Sequence, residues 1–221
     1  MNEAETLTQR APTVASTKDR ILDAAERLFA ARGFEATPLR AITAEAGVNL
    51  AAVNYHFQSK EALIRAVIAR RIGPVNEHRL KLLDAAEAGP LSVEAVIEAF
   101  IRPVIEVRCR GGKMTAPMIG RIFAEDKAFV ERFYEDHLAA IAKRFAAAFE
   151  SALPDVPRED MFWTAHFLIG AMAHTMSGEH LLVALSGGLC HIDDPDVIVR
   201  RMVTAFAAAF RAQAKEASNA Q

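Results

Sequence analysis

GVNLAAVNYHFQSKEAL, running from Gly47 to Leu63, is the stretch whose reading decides the fold. It divides into a turn at Gly47, a short helix ending in Asn-Tyr-His-Phe, a second turn, and the opening of a longer helix capped by Ser59. Just upstream, TPLRAITAEA (Thr37 to Ala46) has the pattern of another short helix. Thr37 is expected to cap it, with Pro38 at the first helical position, where a missing N–H costs nothing. Gly47 suits the bend between the two, because positive φ is cheap only for glycine. Two short helices joined by a glycine turn, with polar and aromatic groups crowded at the end of the second, make the pattern of a helix-turn-helix.

Outward from this stretch the periodicity stays helical. Residues 1–15 are polar and aperiodic and read as a flexible arm. Ser16 or Thr17 can cap a first helix carrying Ile21, Leu22, Ala25, Leu28 and Phe29, with Gly33 as its stop. After Ser59 a helix carries Leu63, Ile64, Val67, Ile68 and Ile72, bends at Gly73-Pro74 and continues to Leu83. Ser92 caps another, kinked at Pro103 and ended by Gly111-Gly112. A short segment from Ala116 to Glu125 precedes a long helix with Phe129, Phe133, Ile141, Phe145 and Phe149. The last two helices, about Arg158–Leu185 and Pro195–Ala214, are apolar around most of their circumference and rich in Ala and Gly. Such helices are buried on more than one side, and in a chain of this size a second copy is the natural cover. No useful period-2 segment appears, so the expected class is all-α with about nine helices.

Composition narrows the function. The 221 residues are 52% hydrophobic, ample for a core, and the net charge is −2. Residues 1–72 hold 10 Lys and Arg against 8 Asp and Glu, so the front of the chain is slightly basic and the rest slightly acidic. That difference is too small to argue for a nucleic-acid partner; local placement matters more than the total. Cys109 and Cys190 lack CxxC spacing, no apolar run matches a membrane span, and the first residues lack the apolar block of a signal peptide. The expectation is a cytoplasmic protein with no membrane partner. No HExxH or paired Glu-x-x-His pattern is present, and the Gly and Met stretches lack a strand context, so neither an enzyme nor a cofactor is expected. A metal site among His166, His174 and His180 is the weaker alternative to core or pocket histidines.

On TPLRAITAEA and GVNLAAVNYHFQSKEAL, the region of residues 17–65 resembles the TetR/AcrR family of transcriptional regulators. The resemblance implies a three-helix DNA-binding head, here residues 16–62, and a helical ligand-binding and dimerisation domain, here 63–217. It places Asn49, Ala51, Ala52 and Asn54 where the family reads bases. Tyr55, His56 and Lys60 fall where it meets phosphates, with Thr37 and Arg40 on the supporting helix. The chemistry agrees, since Asn can pair with adenine, Ala packs on a thymine methyl, and Tyr, His and Lys donate to phosphate. Asn49 is equally well suited to be only a cap, and Arg70 and Arg71 read as a solvated face. Asn54 stands where the family most often has Tyr, so no operator sequence carries over.

The resemblance also implies a cavity whose occupancy moves the heads. Ile101, Val104, Met114, Met118, Ile122, Phe123, Phe162, His166, Met172 and Met176 are its candidate lining. RRIGPVNEHRLKLLD, after the head, resembles the branch that contains fatty-acid-responsive repressors, which points to a small apolar, acyl-like effector. Phe167, Gly170, His174, Val203, Phe206 and Phe210 are the candidate dimer contacts. The expected protein is a homodimeric, ligand-responsive repressor on palindromic double-stranded DNA. A helical metal- or lipid-binding protein or enzyme using the C-terminal helices is the alternative.

Overall fold

The computed structural model describes residues 16–110 and 127–219, with side chains to residue 214. Among the described residues there are ten helices and no strand. They are α1 (Thr17–Arg32), α2 (Leu39–Ala46), α3 (Leu50–Phe57), α4 (Lys60–Glu87), α5 (Val93–Cys109), α6 (Lys127–His137), α7 (Ala139–Ala152), α8 (Arg158–Ser177), α9 (Glu179–Leu185) and α10 (Pro195–Asn219). The expected arm 1–15 and the segment Ala116–Glu125 lie outside the described residues.

Two expected single helices are each divided. One breaks at Leu138, between α6 and α7. Leu138 packs on the same cluster as Phe133, whereas Ile141 packs on the other, so the chain bends as it passes from one core to the next. The second breaks at Gly178, whose N–H caps α8 on the His174 carbonyl. A Cβ at Gly178 would sit 2.8 Å from that carbonyl oxygen, so the close approach needs glycine.

The first core belongs to α1–α4. Ile21, Ala25 and Phe29 meet Ile42 of α2, Val53 and Phe57 of α3, and Leu63, Val67 and Ile68 of α4. Phe29 and Phe34 pack edge to face, and Phe34 also meets Phe129 of α6. Each large apolar side chain buried this way contributes roughly 1.5–3 kcal/mol. One further residue comes from far along the chain: Phe133 of α6, 5% exposed, sits in this same cluster.

The second core joins the later half of α4 to α5, α7, α8 and α10. Val75 and Leu83 meet Ile97, Ile101 and Ile105, with Phe145, Phe149, Leu168 and Phe210 completing it. Helix α4 crosses from one core to the other without a break, and Gly73-Pro74 falls at the crossing, between Ile72 and Val75. Ion pairs fasten the perimeter: Arg102 to Asp196 at 2.6 Å, Arg144 to Asp84 and Glu87, and Arg108 to Glu179 at 2.5 Å.

Arg71 is exposed as expected, but Arg70 is half-buried, and both are tied to a buried carboxylate. Glu26 is buried in α1, and both arginines reach its carboxylate, at 2.7 and 2.6 Å, with Asp23 as a second partner of Arg70. A buried carboxylate must be paired, and these two arginines lock α4 onto α1.

Candidate nucleic-acid interface

The geometry of the short α2–α3 pair follows from local chemistry. Helix α2 ends at Gly47 in the left-handed conformation, φ 62° and ψ 42°. Arg20 of α1 donates to the carbonyls of Ala46 and Gly47 at 2.6 and 2.8 Å. A cation on the last carbonyls of a helix complements its negative end, so α1 fixes where α2 stops. Arg27 adds a pair to Glu45 at 3.1 Å.

Helix α3 starts at Asn49, whose side-chain Oδ1 accepts from the Ala52 N–H at 2.9 Å. The capping role of Asn49 is thus realised, and it leaves only the amide Nδ2 for an outside partner. Val53 and Phe57 are buried, which turns Leu50, Ala51, Asn54 and Tyr55 outward on one arc. Tyr55 is 83% exposed and Leu50 51%. Ala52 is half-buried against the head core, so it is set back from the arc on which it was expected. Leu50 was missed; its signal in the sequence is an apolar side chain at the first turn of a helix whose buried positions are already filled by Val53 and Phe57.

The end of α3 is strained. Gln58 has φ 65° and ψ −37°, and the Ser59 N–H reaches the Phe57 carbonyl at 2.7 Å. That is a γ-turn of the rare form, costly for a residue with a Cβ. It places the Tyr55-His56 end of α3 directly before the Ser59-capped start of α4, where Ser59 Oγ accepts from Ala62. His56 is half-buried, its ring 5.1 Å from Tyr55 and 6.1 Å from Phe57. Lys60 donates to the Glu35 carbonyl at 3.1 Å, using one of three N–H groups. Arg40 is exposed on α2 and has no ion pair among the described residues.

Thr37 departs from expectation. It neither caps α2, whose cap position is Pro38, nor reaches the surface: it is fully buried and its hydroxyl donates to the Gly33 carbonyl at 2.7 Å. Its role is to tie the α1–α2 corner.

In the body the expected pocket residues separate. Ile101, Val104 and Met176 are buried in the second core and Met172 packs against it. Phe162 and His166 face outward on α8, beside Trp163 and Phe167, because Met161, Thr164 and Leu168 already fill its inner face. Met114, Met118, Ile122 and Phe123 lie outside the described residues. An open groove of about 300 Å³ lies along α6, lined chiefly by Val130, Phe133, Tyr134 and Leu138.

Of the expected dimer contacts, Phe167, Gly170 and His174 are exposed, and Val203 and Phe206 are partly buried on the chain's own core. Phe210 is not available to a partner. It is wholly buried and stacks on Phe149 at 4.9 Å. His166, His174 and His180 are all exposed, and among the described residues no group of three His, Cys, Asp or Glu side chains is placed to hold a metal. No described helix is long and apolar enough to cross a membrane.

Two family models match the chain. Residues 21–67 match the model of bacterial regulatory proteins of the tetR family, and residues 98–209 match that of a tetracyclin repressor-like C-terminal domain. The repressor BepR of Brucella suis biovar 1 (strain 1330), an HTH-type protein, is 31% identical over 121 residues, 49% of this chain and 58% of that protein. The HTH-type regulator YerO of Bacillus subtilis (strain 168) is 38% identical over 53% of this chain and 40% of its own length. The chain thus spans about half the length of these curated relatives. Among solved structures, the fatty acid degradation regulator FadR of Bacillus halodurans superposes with TM-score 0.65 at 12% identity, over 89% of this chain and 97% of that one. GusR of Salmonella enterica superposes with TM-score 0.60 at 20% identity, over 94% and 100%. These two likenesses are of fold.

Proposed function

Starting from a chain that belongs to the TetR family of helix-turn-helix transcriptional regulators, we propose that it represses transcription as a homodimer on a palindromic operator and is released by a small effector. The observation that carries this reading is the outward arc of α3. A short helix is held by Val53 and Phe57 on a rigid head and presents Leu50, Ala51, Asn54 and Tyr55 to the outside. Inserted in a major groove, Leu50 and Ala51 offer apolar contact to thymine methyls, and Asn54 offers a donor and an acceptor to adenine. The Asn49 amide remains available at the helix start. Tyr55, His56, Lys60 and Arg40 then meet phosphates on either side, which sets register without reading sequence.

The second copy covers the outward face of α8, where Trp163, Phe167, Gly170 and His174 lie exposed, with Val203 and Phe206 of α10 at its edge. An exposed aromatic surface of this kind marks a protein partner. Two-fold symmetry then brings two α3 helices to half-sites separated by about one helical turn of DNA, ~35 Å. The effector binds in the body near Ile101, Val104, Met172 and Met176, and favours a head spacing that no longer fits. It acts only to the extent that it prefers the released form.

Selection of bound fragments from random duplex, followed by anisotropy titrations against salt, tests this. Tyr55→Ala and Lys60→Ala should weaken all sequences alike, and Lys60→Ala, which removes a cation, should also lower the salt slope by ~0.9, while Asn54→Ala should change which bases are preferred. Failure of the purified dimer to prefer any selected fragment over random duplex would refute the regulator's DNA reading.

A further inference from the structure

Among the described residues, the body contains one buried charge without a counter-ion. Arg79 of α4 is 7% exposed. Its Nε–H donates to the Phe100 carbonyl at 2.8 Å, one Nη donates to Asn76 Oδ1 at 3.1 Å, and its guanidinium lies 4.3 Å from the Phe100 ring centre. Two of five N–H groups are thereby used. Among the described residues no carboxylate comes within ion-pair distance. Arg70, Arg102 and Arg108, whose side chains are also less than a third exposed, each hold at least one. Burial alone pushes the Arg79 guanidinium down to about 10.

Holding Phe100 in place does not account for the charge. A carbonyl and an amide oxygen need N–H donors, which a neutral side chain also supplies, whereas a buried cation without an anion is costly. Charge of this kind persists where something else uses it. Asn76 also links Arg79 to the end of α6. The Asn76 amide Nδ2 donates to the His137 carbonyl at 3.1 Å, and His137 Nε2 is buried with no hydrogen-bond partner among the described residues. Arg79, Asn76 and the His137 carbonyl thus form a polar corner where α4, α5 and the end of α6 meet, while the His137 ring turns from it onto Phe133. Phe100, packed edge to face on Phe145 at 5.2 Å, gives that corner an aromatic flank.

We propose that the effector is an apolar carboxylic acid, and that its carboxylate is received by Arg79, which Asn76 holds in register. The inference rests on the ligand-responsive reading above and adds the charge of the ligand. A carboxylate takes two parallel N–H bonds from a guanidinium, and the acid's apolar body lies against Phe100 and Phe145. Asn76 stands two residues beyond Pro74, and His137 one turn beyond Phe133. The acid therefore binds where both connections to the head are anchored.

The test uses the full chain on its selected operator fragment. Straight-chain and aryl monocarboxylates are each compared with their own methyl ester and primary amide, reading operator release by anisotropy and melting temperature without DNA. The acids should act at concentrations at least tenfold below their neutral partners. Arg79→Met should keep operator affinity, melt no lower than the parent and lose that preference. A merely structural Arg79 would instead melt lower as Met and leave the acid preference intact. Equal potency of acids and esters, release by neutral compounds only, or a folded Arg79→Met that still prefers acids overturns the proposal while leaving ligand response standing. If no compound of either kind releases DNA or shifts melting, ligand response and this proposal fall together. Should Arg79→Met not fold, the acid-to-ester comparison on the parent protein decides.

Discussion

Replacing Phe167 by Asp should convert the dimer to monomers, and the structure sets the size of the effect. Phe167 lies on α8 with 59% of its surface exposed, its ring 5.8 Å from that of Trp163. Of the ~200 Å² a phenylalanine can bury, ~120 Å² is therefore free for a partner to cover. At ~25 cal/mol per Å² this is ~3 kcal/mol per protomer, and two-fold symmetry doubles it to ~6 kcal/mol. A loss of that size weakens association by ~10⁴-fold, so a nanomolar dimer would dissociate in the micromolar range. The aspartate adds the cost of burying an unpaired carboxylate, so the estimate is a lower one. Sedimentation velocity across the nanomolar to micromolar range reads the outcome. The fold should survive, because Phe167 contributes little to the chain's own core. Phe206→Asp is a poorer probe, since Phe206 already packs on that core. A Phe167→Asp protein that sediments as a dimer with the parent's concentration dependence would refute the placement of the interface on α8.

Three further outcomes follow from the head and its supports. Gln58→Gly should relieve the positive-φ turn after α3 and raise stability by ~1 kcal/mol, read as a higher denaturant midpoint with unchanged slope; a lower midpoint would mean the turn is unstrained. Gly47→Ala should cost ~1–2 kcal/mol, because the residue sits at φ 62° and its Cβ would come 2.9 Å from Arg20 Nη2; a melting temperature equal to the parent's would contradict this. Burial holds the His137 imidazole below the ordinary 6.5, outweighing Asp136. The folded chain then binds fewer protons than the unfolded one as pH falls through 6.5. Stability should therefore be full above that pH and decline below it. His137→Gln should flatten the decline, and an unchanged acid limb would show that His137 does not set it.

The head was the more legible part of this sequence because its determinants are local. Ser16, Asn49, Ser59 and Ser92 cap helices as their residue types dictate, and Gly47 bends where only a glycine bends cheaply. What failed there were residues whose role depends on distant neighbours. Thr37 has the chemistry of a cap but is turned inward by the carbonyls of Gly33 and Leu28. Arg70 reads as solvated until α1 brings Glu26 beneath it. In the body, apolar periodicity gave helices without saying which face meets which. Phe162 and Phe210 were therefore assigned to opposite surroundings from those they occupy, one exposed and the other sealed against Phe149. Arg79 carried no signal at all, because its meaning is the lack of a carboxylate among its described neighbours, which only tertiary structure reveals.

Phe133 has a consequence for how the molecule comes apart. A side chain from α6 completes the hydrophobic interior of α1–α4, and Arg132 beside it pairs with Glu61 at 3.2 Å. A fragment cut after α4 would keep its helices' sequence signals yet carry an empty apolar socket and a severed ion pair. Filling such a void matters as much as any substitution within the core. The head should therefore not persist as an autonomous folding unit. Loosening of α6 and loss of head order should occur in one cooperative transition, with amides of α1 and of α6 exchanging at matched rates.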